Sequence, residues 1–104
     1  MSNELLAKTA LQRQEAFKNL PKHLKTIKKT VGKLDPKAEV YLFGSVADNS
    51  YNYSSDIDIL VVTDTYPAKV ICELWKAGIE NPFEIHVYPP EKADFFKNAK
   101  LVRL

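Results

Sequence analysis

Residues Asp56–Thr63 read DIDILVVT: two acids, then a run that is almost wholly β-branched or apolar. Nothing else in the chain commits so strongly to one element. Such a run is a strand. Asp56 and Asp58 stand two apart on it, so period two puts both carboxylates on one face at one strand end. A chain containing this strand needs a sheet for it to join and helices to cover that sheet.

The surrounding sequence provides both. The first 20 residues read as a helix, with Leu6, Ala10 and Phe17 roughly on one side. A second helix runs from Pro21 to Leu34, because proline at a first-turn position loses no hydrogen bond. Leu20, Leu24, Ile27, Val31 and Leu34 recur at spacings of 4, 3, 4 and 3, one amphipathic stripe. Asp35-Pro36 stops it, since the residue before proline avoids the helical region. Glu39–Phe43 (EVYLF) reads as a strand ended by Gly44-Ser45. Val46–Ser55 is a polar loop, opening at most with a helical turn. Pro67 begins a third helix to Ala77, with Val70, Ile71, Leu74 and Trp75 as its buried side, Cys72 in its core and Gly78 at its C-terminal end. Asn81-Pro82 turns the chain into a third strand, Phe83–Tyr88 (FEIHVY). Pro89-Pro90 ends it, and a short helix over Glu91–Asn98 and a tail, LVRL, follow. The order α-α-β-β-α-β-α predicts an α/β (α+β) fold, a mixed sheet of three or four strands flanked by helices. With 104 residues, one domain is expected: residues 1–20 an N-terminal helix, 21–88 the core, 89–104 a C-terminal helix and tail.

Composition excludes several classes. The chain is 45% apolar and 27% charged, close to ordinary globular averages, which argues against disorder. No apolar run approaches the ~20 residues of a spanning helix, and no secretory signal pattern opens the chain, so a cytoplasmic protein without membrane contact is expected. A single cysteine, Cys72, excludes an internal disulfide and a cysteine zinc site, and two histidines argue against a histidine-rich metal site. The net charge of +2 hides a polarity: residues 1–38 carry nine Lys/Arg against three Asp/Glu, and residues 39–104 carry six against ten.

The acids carry the chemistry. Two like charges this close repel, and a divalent cation is the usual relief. Oxygen ligands suit Mg²⁺ or Mn²⁺ rather than zinc. Glu84 shares a strand face with His86 and Tyr88; if that strand lies beside Asp56–Val62, Glu84 becomes a third carboxylate, and three acids can hold two metal ions. An Asp-x-Asp alone is weak evidence, since about one chain in three of this length holds one by chance. Gly44-Ser45 strengthens the reading. Glycine lets backbone approach a ligand closely, and adjacent N–H groups and the serine hydroxyl can meet phosphate oxygens.

The whole string, LFGS at Leu42–Ser45, ten residues, then DIDIL at Asp56–Leu60, resembles the minimal nucleotidyltransferases of the polymerase-beta-like superfamily. The likeness spans roughly Ile27–Tyr88 in element order and is sharpest over Tyr41–Val62. The ten-residue spacer resembles that of the HEPN/MNT antitoxin type. The resemblance implies the polymerase-beta-like nucleotidyltransferase fold and transfer of AMP from ATP to a tyrosine of a HEPN-domain RNase toxin. It implies Asp56 and Asp58 as catalytic metal ligands for Mg²⁺ or Mn²⁺, with two ions, Glu84 as the third acid, and Gly44 and Ser45 as nucleotide contacts. Many relatives read GSxARG where this chain reads GSVADN, and no Lys or Arg lies between Phe43 and Ala68. Asp48 and Asn49 thus replace an Arg and a Gly. That departure keeps open a second reading, a catalytically weak or inactive partner-binding antitoxin subunit.

Other residues carry paired readings. Lys22, Lys25, Lys29 and Lys33, with Lys28 beside them, are either the solvated back of an amphipathic helix or a docking stripe; with RNA as the partner, nucleotide transfer to RNA becomes a third function. No aromatic residue interleaves with them, which argues against base stacking. His86 either borders the site as a proton acceptor or is a half-buried structural histidine; His23, among lysines, is expected exposed. Tyr51 and Tyr53 either stack on a base, are themselves modified, or anchor the loop. Asp64 is a turn or cap residue. A domain this small has little surface with which to enclose a substrate, so a homo-oligomer or a partner that completes the site is expected.

Overall fold

The computed structural model describes residues 3–48, 56–96 and 98–104, with side chains described from residue 10 onward. Tyr51, Tyr53 and the side chain of Leu6 lie outside the described residues. Helices α1 (Asn3–Lys18) and α2 (Leu20–Leu34) are followed by β1 (Glu39–Phe43), a single turn α3 (Gly44–Ala47) and β2 (Ile57–Val62). Then come α4 (Pro67–Lys76), β3 (Phe83–Tyr88), a 3-10 segment (Pro90–Phe96) and β4 (Val102–Arg103). The four strands form one mixed sheet in the order β3-β2-β1-β4. β1 runs antiparallel to β2 and β4, whereas β2 and β3 are parallel. A parallel pair needs a crossover between its strands, and α4 provides it.

The apolar stripe of α2 performs as its spacing requires. Ile27 and Val31 are buried, and Leu20, Leu24 and Leu34 pack half-buried around them. They meet one face of the sheet, made by Val40, Leu42, Ile57, Ile59 and Val61, together with Val70 and Leu74 of α4. Complete burial of each such side chain contributes about 1.5–3 kcal/mol. Strand alternation sends Asp58, Leu60 and Val62 to the opposite face. The register pairs Phe43 with Asp58, and Asp58 with Glu84, so these three residues share that second face. Phe96 of the 3-10 segment covers part of it, with ring centroids 5.6 Å from Phe43 and 5.1 Å from Tyr88.

Several expectations are corrected. Cys72 and Trp75 are exposed, Trp75 at 64%. The buried pair on α4 is Val70 and Leu74, one turn apart; at 100° per residue Cys72 stands on the far side of the helix from both. On α1 it is Ala16 that is buried, while Ala10 is exposed and Phe17 half-buried. His23 is not exposed: its side chain is 18% accessible, its Nε2 sits 2.9 Å from Glu15 Oε1, and its ring meets Phe83 edge-on. Asn19 first, then His23, holds the Glu15 carboxyl below its ordinary range through hydrogen bonds. The segment after β3 is 3-10 rather than α-helical, and the LVRL tail contributes β4, whose Arg103 and Val102 pair with Tyr41 and Leu42. Asp56 stands just before β2 and Thr63 just after it. Among the described residues, no helix is long and apolar enough to cross a membrane.

Candidate functional site

The site lies at the end of β2 where the chain enters the sheet. Ile57 is fully buried and fixes the strand against the helices, so Asp58 must point from the other face. The parallel register then sets Glu84 directly beside Asp58. His86, two residues on, projects from the same face of β3. Its Nε2 lies 3.4 Å from Asp58 Oδ1 and 3.8 Å from Glu84 Oε1. One donor atom from each of the three lies within 4.8 Å of the others. Side-chain accessibility is 24% for Asp58, 29% for His86 and 55% for Glu84, so the cluster is walled by protein yet open to an incoming ligand. The Phe43 ring packs edge-on against His86 at 5.1 Å between centroids and holds the imidazole toward the carboxylates.

Gly44 completes the wall. It begins α3 with φ +76°, a backbone region that favours glycine. A Cβ on Gly44 would overlap the Asp58 carboxylate, lying 3.2 Å from its Cγ. The glycine is therefore required twice, by conformation and by the carboxylate beside it. Ser45 follows, half-buried, and Asp48 closes the turn in an exposed position, its N–H donating to the Gly44 carbonyl at 3.2 Å.

Asp56 is placed differently from Asp58. It is exposed, and Arg13 of α1 donates from Nη2 to its Oδ1 at 3.3 Å. The structure thus gathers Asp58, Glu84 and Gly44, with Ser45 next in the chain, and sets Asp56 at the strand entrance beside an arginine. One participant escapes a reading of the sequence. Arg13 is 43 residues from its partner and leaves no local signal. His86 has one: Glu84-x-His86 shares the period-two face of Asp58 as soon as the strands are paired in parallel.

Two carboxylates and one imidazole nitrogen, converging beside a glycine that admits close approach, form a donor set that fits a divalent cation. The class so outlined is a small mixed-sheet domain with a cluster of side chains that could hold a divalent cation. The chain belongs to the nucleotidyltransferase domain family, whose family model matches residues 24–103. Its four-stranded mixed sheet with flanking helices is the polymerase-beta-like nucleotidyltransferase fold. Two solved structures resemble it, each described as a "putative nucleotidyltransferase". One is 31% identical with a TM-score of 0.60, over 79% of this chain and 97% of the other. The second, from Sulfolobus solfataricus, is 27% identical with a TM-score of 0.62, over 91% of this chain and 85% of the other. No match was found among curated proteins.

Proposed function

We propose that this chain transfers AMP from ATP to a protein hydroxyl, a tyrosine of a HEPN-type RNase toxin, and so acts as an antitoxin. The observation that carries the reading is the side-by-side placement of Asp58 and Glu84 next to Gly44. The specific acceptor rests on the resemblance of the LFGS…DIDIL string and its ten-residue spacer to the HEPN/MNT type.

In this reading Asp58 and Glu84 hold Mg²⁺ or Mn²⁺, with Asp56 as a further ligand. Held there, such a cation would supply charge neutralisation for the triphosphate and would lower the pKa of the attacking hydroxyl. Gly44, lacking a side chain, lets its backbone reach the triphosphate, and Ser45 adds a hydroxyl donor. The acceptor oxygen forms its bond to the α-phosphorus as the bond from that phosphorus to the pyrophosphate oxygen breaks; pyrophosphate departs and the hydroxyl proton passes to solvent water. Positioning and electrostatics supply the barrier reduction, since no covalent intermediate on the protein is needed. Arg13, beside Asp56, brings a cation to a stretch of sequence that has none of its own.

Asp48 favours a second reading. It puts an exposed negative charge one turn from Gly44, where many relatives carry arginine. A subunit so altered could bind its partner without turnover.

The test is α-phosphate-labelled ATP with Mg²⁺ or Mn²⁺ in lysate of the source cells, wild type beside Asp58→Asn. A protease-sensitive labelled band, absent with the variant, supports protein adenylylation. A nuclease-sensitive band moves the acceptor to RNA, with the exposed Lys22, Lys25, Lys29 and Lys33 as its track. No label from folded protein with any of the four nucleotides leaves the binding-only reading.

A further inference from the structure

We propose that His86 is itself a metal ligand, and that its nitrogen turns the site from Mg²⁺ toward transition-metal cations such as Mn²⁺. The proposal rests on the metal-binding reading of Asp58 and Glu84 but not on the identity of the acceptor. The juxtaposition that carries it is Nε2 of His86 between two carboxylate oxygens, 3.4 Å from Asp58 and 3.8 Å from Glu84.

Three features separate this arrangement from a histidine that merely pairs with one acid. First, the imidazole faces both carboxylates across two strands, because the parallel register places Asp58 beside Glu84 and Leu60 beside His86. The contrast is His23, whose Nε2 meets the single carboxylate of Glu15 at 2.9 and 3.1 Å on the helical side of the molecule. Second, the ring is oriented from behind. Phe43 packs on it edge-on and Phe96 packs on Phe43, while Nε2 on the other side meets Asp58 Oδ1 within hydrogen-bond reach. Third, the side chain is 29% accessible, so the cluster is not sealed from solvent.

The chemistry sets the preference. Mg²⁺ demands near-ideal octahedral oxygen coordination and dehydrates reluctantly. An imidazole nitrogen is a softer donor, and affinity for such mixed sites rises along the first transition row. Replacing one oxygen by Nε2 therefore costs Mg²⁺ more than it costs Mn²⁺.

The experiment uses the untagged full chain, which has only two histidines. Mn²⁺ is bound and electron spin echo modulation is recorded for coupling to ¹⁴N, while Mn²⁺ and Mg²⁺ affinities are measured by calorimetry. The expected result is directly coupled imidazole nitrogen in the wild type and in His23→Gln, and none in His86→Gln. His86→Gln is also expected to lose on the order of 10–100-fold in Mn²⁺ affinity, the scale of a disturbed metal shell, while Mg²⁺ affinity changes less. Mn²⁺ binding without nitrogen coupling in the wild type overturns the proposal whatever the variants do, and so does no Mn²⁺ binding at all. Coupling that survives in His86→Gln overturns it as well. Nitrogen-coupled Mn²⁺ with no label transferred from ATP leaves this proposal standing and removes the adenylylation reading. Label transferred by a site with no nitrogen coupling does the reverse.

Discussion

The two ends of β2 treat carboxylates in opposite ways. At its C-terminal end, Thr63 is 3% exposed and its hydroxyl donates to Asp35 Oδ2 at 2.6 Å. The Lys37 N–H donates to the same carboxylate at 3.0 Å, and the Thr65 N–H donates back to the Thr63 hydroxyl at 3.1 Å. The Thr63 hydroxyl bond, and then the Lys37 backbone bond, hold the Asp35 carboxyl below its ordinary range. At the N-terminal end an acid faces an acid: Asp58 lies beside Glu84, with the His86 imidazole against both and the Arg13 guanidinium at Asp56. An acid saturated by its own backbone and hydroxyl neighbours is part of the architecture. A pair of acids set side by side is an arrangement that folding alone does not favour, and it is there that function is to be sought.

The largest test of this contrast is Asp58→Asn. Labelling from ATP is expected to fall by at least ~10²-fold, the scale of losing one preorganised electrostatic group. Stability should stay within about 0.5 kcal/mol of wild type by urea denaturation, because a half-exposed acid facing another acid contributes little to the fold. A loss of several kcal/mol would place Asp58 with Asp35 as a structural acid. Gly44→Ala comes next. Its φ of +76° costs an L-residue about 1–2 kcal/mol, and the added Cβ also collides with the Asp58 carboxylate. Gly78→Ala is the reference, because Gly78 has φ +89° and open space around a built Cβ. Gly44→Ala should therefore be the less stable of the two and should also abolish labelling, whereas Gly78→Ala should keep it. Equal losses of stability with labelling retained in both would deny the contact its role.

Part of this contrast was legible in the sequence. The stripe of α2, the three longer strands and the turn at Gly44 follow from local period and backbone chemistry, which a linear reading captures. The pairing of Asp58 with Glu84 was legible only as a condition, since period two gives a face but not a neighbouring strand. The Thr63–Asp35 bond, the Arg13–Asp56 pair and the burial of His23 each join distant segments and have no signature of their own. β4 has two residues, too few to show a period, and exists through its pairing with Tyr41 and Leu42. Cys72 and Trp75 were misplaced because an apolar run on a helix exceeds the width of the face that Val70 and Leu74 bury.

Thr63→Val is the matching test at the other end. It removes a buried hydroxyl that serves Asp35 and Thr65, and is expected to cost about 1 kcal/mol while leaving labelling intact. The sign of its pH dependence follows from the lowered pKa of Asp35. A carboxyl depressed in the folded state adds stability above its unfolded pKa, and that stability is lost as pH falls through the folded value. The deficit of Thr63→Val should thus be greatest near neutral pH and shrink below the ordinary carboxyl value of 3.8. A deficit that does not change between pH 7 and pH 3 would mean that Asp35 draws little from this bond.

The smallest effect is expected for Asp56→Asn in metal-free buffer. Asp56 is exposed, its side chain 50% accessible, and its bond to Arg13 is 3.3 Å long. A pair so placed contributes no more than about 1 kcal/mol, and ~1 M salt screens it within about 3 Å. The variant should therefore unfold close to wild type at low salt and indistinguishably from it at high salt, while Thr63→Val keeps its deficit at both. This sharpens the comparison because the two bonds differ in kind: one is a buried hydroxyl donating to a carboxylate, the other an exposed ion pair. If Asp56→Asn keeps a deficit above ~1 kcal/mol in high salt, the Arg13 contact is anchoring α1 to the sheet. The entrance of β2 would then be a structural joint like its exit, and only Asp58, Glu84 and His86 would remain as the site.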